Sequence, residues 1–164
     1  MTTNPSVLRR RADAVSAGVS VAGRARGRLI GGNLASVATS VGVRLPPMNG
    51  AILFLEDQRL VGLGTVDRQL TQLIASGALD GVIGVALGSF EGFRDDSDRG
   101  WTLADVLSER LGQLGVPVLG GLFAGHDLTD PDGRPDQSAL PIGAMATLDA
   151  TAGTLVVDPV VEDR

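Results

Sequence analysis

Two uninterrupted apolar runs, Ala51-Ile52-Leu53-Phe54-Leu55 and Val82 to Leu87, stand apart from a chain whose other apolar positions recur mostly at helical spacing. Runs this short, bounded by turn residues, predict strands covered on both faces. The first lies between Asn49-Gly50 and the acids Glu56-Asp57, so its end delivers Glu56 to a surface. Upstream, Arg26 to Ile30 predicts a short strand closed by Gly31-Gly32. Asn33 can cap a helix with Leu34, Val37, Ala38 and Val41 on one face and Gly42 at its C′ position. Pro46-Pro47 then breaks the chain. Thr65 can cap a second helix, in which Val66, Leu70, Leu73 and Ile74 share a face and Gly77 ends the run. A polar loop spans 91–99. Thr102 with Asp105 marks the start of a third helix, its stripe being Leu103, Val106, Leu107, Leu111 and Leu114, stopped by Gly115 and Pro117. Val116 to Leu122 predicts a further buried strand. An acidic loop over 127–138 leads into Leu140 to Leu148, and Thr154 to Val157 closes the body. Strands alternating with helices, then strands in succession, predict a mixed α/β domain with some antiparallel sheet. Residues 1–25 carry neither period and are expected to be a flexible tail or linker remnant, with the domain proper over 26–164. There is no internal repeat.

Composition narrows the picture. A chain of 164 residues with 43% hydrophobic content can bury one good core, and with only 3% aromatic residues that core must be aliphatic. The absence of cysteine rules out disulfides and thiolate metal sites and suits a reducing compartment. All 14 basic residues are arginine. Six of them lie in residues 1–28 against one acid, a net +5, while the remainder has eight against 18 acids, a net −10. An acidic body repels phosphate backbones and argues against nucleic-acid binding. No stretch is long enough for a membrane-spanning helix. Residues 9–23 imitate a secretory signal only loosely, since Asp13, Ser16, Gly18, Ser20 and Gly23 weaken the apolar region, so the cytoplasm is the expected location.

The candidate chemistry centres on two residues. Glu56, at a strand end, is a natural orienter for an imidazole, and the chain's single histidine, His126, follows another buried strand in Gly125-His126-Asp127. Strands of one α/β sheet bring their ends together, though periodicity does not establish that these two are neighbours. No serine sits in a recognisable nucleophile elbow, so the pair reads as two-thirds of a catalytic triad. Gly31, Gly32 and Asn33 open a helix, where free N–H groups could receive an anion or a substrate carboxylate; a purely structural turn explains the glycines equally well. Without any lysine a phosphate loop is excluded. Asp127, Asp130, Asp132 and Asp136 lack the alternation and closing glutamate of a calcium loop, and a lone histidine makes a poor transition-metal site.

Five segments in register carry a resemblance. Gly27-Arg28-Leu29-Ile30-Gly31-Gly32-Asn33-Leu34, Gly50 to Asp57, Val66-Asp67-Arg68-Gln69-Leu70, Val116-Pro117-Val118-Leu119 with Gly125-His126, and Leu140-Pro141-Ile142-Gly143 together resemble the C-terminal domain of the LD-carboxypeptidase family of serine peptidases. That family includes murein tetrapeptide carboxypeptidases and microcin C self-immunity peptidases. The resemblance covers about residues 26–162. It implies a β/β/α swivelling-type domain with a mixed parallel and antiparallel sheet. It also implies a Ser-Glu-His triad in which the glutamate falls on Glu56 and the histidine on His126, the serine lying in an N-terminal domain outside this sequence. No metal or organic cofactor is required. The implied partners are a murein peptide substrate and the nucleophile-bearing domain or subunit, with a homodimer left open. Three departures bear on this. Gly42-Val43 stands where the family tends to have Gly-Thr, the stretch Gln58 to Gly64 lacks the usual Glu, Pro and Tyr, and the nucleophile and oxyanion-hole donors are not in the chain. The rival expectations are a peptidase acting on peptidyl- or aminoacyl-nucleotide antibiotics, and a non-catalytic binding module or remnant.

Overall fold

The computed structural model describes residues 4–58, 62–93, 100–126 and 139–159. It contains one eight-stranded mixed sheet. In chain order the elements are β1 (Ser6–Arg9), β2 (Ser20–Val21), β3 (Arg24–Asn33), α1 (Leu34–Thr39), β4 (Ala51–Gln58), α2 (Leu63–Ala75), β5 (Gly84–Glu91), α3 (Leu103–Gly112), β6 (Val118–Leu119), β7 (Met145–Asp149) and β8 (Thr154–Val157). The sheet order is β1-β8-β7-β3-β4-β5-β6-β2. The four strands β3 to β6 run parallel, joined by the helices, while β7, β8, β1 and β2 pair antiparallel at the flanks. The α/β class with a mixed sheet is therefore as expected.

Each parallel strand has two cores. Leu53, Leu55, Val85 and Leu87 pack on the helices with Leu34, Leu70, Leu73, Leu103 and Leu107. Ile52, Phe54, Ala86 and Leu119 face the other way, towards Leu8, Leu148, Leu155 and Val157 of β1, β7 and β8. The sheet must curl for this to happen. Space at Gly84 in β5 is bounded by Leu148 of β7, a strand three places away, and Arg10 just beyond β1 bridges Leu122 just beyond β6. Sheet therefore packs against sheet on one side of the central strands and helices pack on the other. Double coverage explains why β4 and β5 read as unbroken apolar runs.

Residues 6–25 correct the expectation of a flexible tail. β1 forms one edge of the sheet and β2 the other, with Leu8 and Val19 both buried. The intervening segment crosses the end of β6: the Gly120 N–H donates to Val19 O (2.9 Å), the Arg11 N–H to Gly121 O (2.8 Å), and the buried Ser16 hydroxyl bridges Gly88 O and Gly121 N. An added Cβ at Gly120 would strike Ser16 O, which is why this strap requires a glycine there. It also explains why regular pairing in β6 covers only 118–119 and not the expected 116–122. Other boundaries shift less. α2 starts at Leu63 with Gly62 as its cap, ahead of Thr65, and α1 ends at Thr39 with Ser40 as its C-cap, short of Gly42. The strand expected over 140–148 begins at Met145, after a turn at Pro141-Ile142-Gly143. The acidic loop 127–138, with the calcium-like aspartates, and residues 94–99 of the polar loop lie outside the described residues.

Candidate active site

Alternation along β4 places the two acids. Ile52 and Phe54 point to the inner core and Leu53 and Leu55 to the helices, so Glu56 emerges on the inner side and Asp57 on the helix side. Opposite Glu56, β5 contains one residue more than β4, because Leu55 pairs with Leu87 but Asp57 with Phe90. This bulge brings Gly88 and Ser89 beside Glu56.

The chain leaving β6 carries His126 over the same strand ends. Its backbone continues the ladder irregularly, the Leu122 N–H donating to Leu87 O (3.0 Å) and the Ser89 N–H to Ala124 O (2.7 Å). Glu56 is only 5% exposed. Its Oε2 accepts from the His126 backbone N–H at 3.2 Å and lies 2.6 Å from His126 Nδ1. A carboxylate oxygen accepts and does not donate, so the contact assigns the proton to Nδ1 and leaves Nε2 as the basic ring nitrogen. The imidazole is half-exposed, at 48%, so solvent or a partner group can reach it. Gly125 makes the approach possible: it has φ +130, and a Cβ would collide with the Ser89 hydroxyl and lie 2.8 Å from Glu56 Oε2.

His126 stands between two cavities. One, of about 300 Å³, is walled by Gly32, Phe54, Ala124, Leu140 and Ile142 together with the dyad. The other, of about 470 Å³, is bordered by residues of mostly polar type, among them Asn33, Ser36, Asp57, Gln58 and Gln69. Gly32 and Asn33 thus border the two sides of the imidazole, whereas Gly31 lines neither. The tight spot at Gly31 is against Phe54, whose carbonyl oxygen a Cβ would strike. Asn33 is committed locally as well, its Oδ1 accepting from the Ser36 N–H (3.2 Å) to cap α1 and its Nδ2 donating to Asp57 Oδ1 (3.0 Å). Among the described residues no three His, Asp or Glu side chains gather as a metal site. Nothing in the sequence pattern singles out Ser89, because the apolar run that predicts its strand ends at Leu87, whereas β5 continues to Glu91. The unpaired residue opposite Glu56 left no trace in the apolar pattern.

Residues 26–148 match the family described as the LD-carboxypeptidase C-terminal domain. The chain belongs to this family. Among relatives, a Streptomyces coelicolor protein named as a candidate carboxypeptidase is 42% identical over 142 residues, covering 84% of this chain and 41% of the relative. Among solved structures, muramoyltetrapeptide carboxypeptidase from Oxalobacter formigenes superposes with a TM-score of 0.77 at 30% identity, covering 97% of this chain and 52% of that one. An MccF-like protein from Bacillus anthracis shares the fold, with a TM-score of 0.72 at 20% identity over 96% of this chain and 52% of that one. The chain spans about two-fifths of the length of the curated relatives it matches. Among the described residues no helix is long and apolar enough to cross a membrane.

Proposed function

We propose that this LD-carboxypeptidase C-terminal domain supplies the Glu and His of a Ser-Glu-His site that hydrolyses the terminal L-D amide bond of murein peptides. The carrying observation is the 2.6 Å contact between Glu56 Oε2 and His126 Nδ1. Nε2 of His126 takes the proton of a serine supplied from outside this sequence as its oxygen attacks the scissile carbonyl. The same nitrogen then returns the proton to the leaving D-amino-acid amine, and water releases the acylated serine by the reverse sequence. Glu56 holds the tautomer and stabilises the transient imidazolium. Gly32 and Asn33, bordering the two cavities, are the proposed substrate-contact positions. The murein reading is favoured over aminoacyl-nucleotide substrates because the similarity to the muramoyltetrapeptide enzyme extends to 30% identity, whereas the likeness to the MccF-like protein is one of fold.

The test is a chimera joining the N-terminal part of the Streptomyces coelicolor relative to this chain. It should release D-alanine from a murein tetrapeptide in preference to cleaving an aminoacyl-sulfamoyl adenylate, and His126→Ala should abolish that release. A folded chimera whose turnover survives His126→Ala would overturn the assignment. A preference for the adenylate would move the substrate to the nucleotide-antibiotic class.

A further inference from the structure

The imidazole of His126 is half-exposed, and the residue before it, Gly125, sits at φ +130, where the backbone is least restricted. The His126 peptide is anchored at both its polar groups: its N–H donates to Glu56 Oε2 at 3.2 Å, and its carbonyl accepts from the Ser89 hydroxyl at 3.2 Å. Ser89 also donates its backbone N–H to Ala124 O at 2.7 Å. One residue therefore brackets the tripeptide Ala124-Gly125-His126 from both ends. The β5 bulge opposite Glu56 aims Ser89 this way, and Ser89 is 5% exposed.

We propose that Ser89 is a positioning residue, which fixes the His126 main chain so that Nδ1 stays on Glu56. It is not a nucleophile: its hydroxyl proton is engaged by a backbone carbonyl and the side chain is buried. The inference rests on the Glu56–His126 dyad proposed above and adds a third member that acts through the backbone. Holding a catalytic side chain within a fraction of an ångström requires such support from its surroundings.

Because His126 is the chain's single histidine, its two ring nitrogens give one uncluttered pair of 15N resonances in the full chain. At a pH above the imidazole titration, the wild-type protein should show widely separated signals, Nδ1 protonated and Nε2 not. Ser89→Ala should shrink this separation towards the tautomer-averaged value. Ser89→Cys, which keeps nearly the same volume with a weak donor, should do the same and carries the test if the alanine variant does not fold. Ser89→Thr, retaining the hydroxyl, should restore the wild-type separation. Folded Ala or Cys variants with wild-type separation would overturn the proposal, as would a folded Thr variant that loses it. Glu56→Ala, which removes the acceptor of Nδ1–H altogether, separates the two readings. If it collapses the separation while Ser89 variants do not, the dyad stands and the positioning role falls; if it changes nothing, the dyad itself fails.

Discussion

Glu56 and Asp57 are adjacent carboxylates on opposite sides of one strand, and their partners differ accordingly. Glu56 faces the imidazole, while Asp57 Oδ1 accepts from Asn33 Nδ2 and from the Gln58 N–H. In the chimera, Glu56→Gln should cut kcat severely, since the comparable change in another Ser-His-acid enzyme costs about 10⁴ in rate. Asp57→Asn keeps an acceptor for both donors and should cost far less. Steady-state kinetics of the two variants check this, and the reverse order would place the triad acid one residue later. The isolated chain should release no D-alanine from a murein tetrapeptide, because an oriented imidazole without an activated nucleophile cannot form the acyl intermediate. Turnover by the pure chain would contradict this.

At the scale of elements, α3 is the most self-sufficient piece. Thr102 and Asp105 form a reciprocal capping box: the Asp105 N–H donates to Thr102 Oγ1 (3.2 Å), and the Thr102 N–H (2.7 Å) and hydroxyl (2.8 Å) both donate to Asp105 Oδ2. Thr102→Ala should lower the unfolding free energy by about 1 kcal/mol, read from chemical denaturation. The same hydrogen bonds, first from the Thr102 side chain and then from its backbone, hold the Asp105 carboxyl below its ordinary pKa. A depressed folded-state pKa contributes stability that is present above the unfolded value and lost as pH falls through the folded one. The stability difference between wild type and Asp105→Asn should therefore be constant at neutral pH and narrow on acidification below the ordinary aspartate range. A difference that grew in acid would refute the cap's charge dependence. The family segment containing Asp67 has a structural use here: the Arg110 Nε–H donates to Asp67 Oδ1 at 2.7 Å, tying α3 to α2.

For the whole molecule, the N-terminal strap is the piece that closes the sheet. β1 and β2 lie on opposite edges, and the segment between them runs against Gly120 and Gly121, ahead of the histidine. Deleting residues 1–21 should therefore do more than trim an end. It leaves β8 and β6 as unpaired edges, uncovers the sites filled by Leu8 and Val19, and removes the Ser16 bridge to Gly88 and Gly121. Exposed edges invite strand pairing between molecules. The truncated chain should show a clearly lower Tm and self-associate in sedimentation experiments. A monomeric truncation with unchanged Tm would mean that the strap contributes nothing to the domain.

What the sequence determined by itself is what each segment states through its own side chains. The stripe of α3 with its Thr102–Asp105 box, the doubly covered runs of β4 and β5 and the Asn33 cap were legible from local pattern, while Glu56 and His126 stood out as candidates singly and were joined only by the family resemblance. Only the tertiary structure decided the rest. β1 and β2 are short edge strands of four and two residues, mostly exposed, whose pairing is made by backbone groups of distant strands, so no hydrophobic period announces them. Ser89 touches the histidine because β5 carries one extra residue relative to β4, and a register difference belongs to the pair of strands, not to either sequence alone. The distance between Glu56 and His126 likewise depends on the order β4-β5-β6, on the irregular chain that follows β6, and on a glycine at 125 that lets backbone and carboxylate meet.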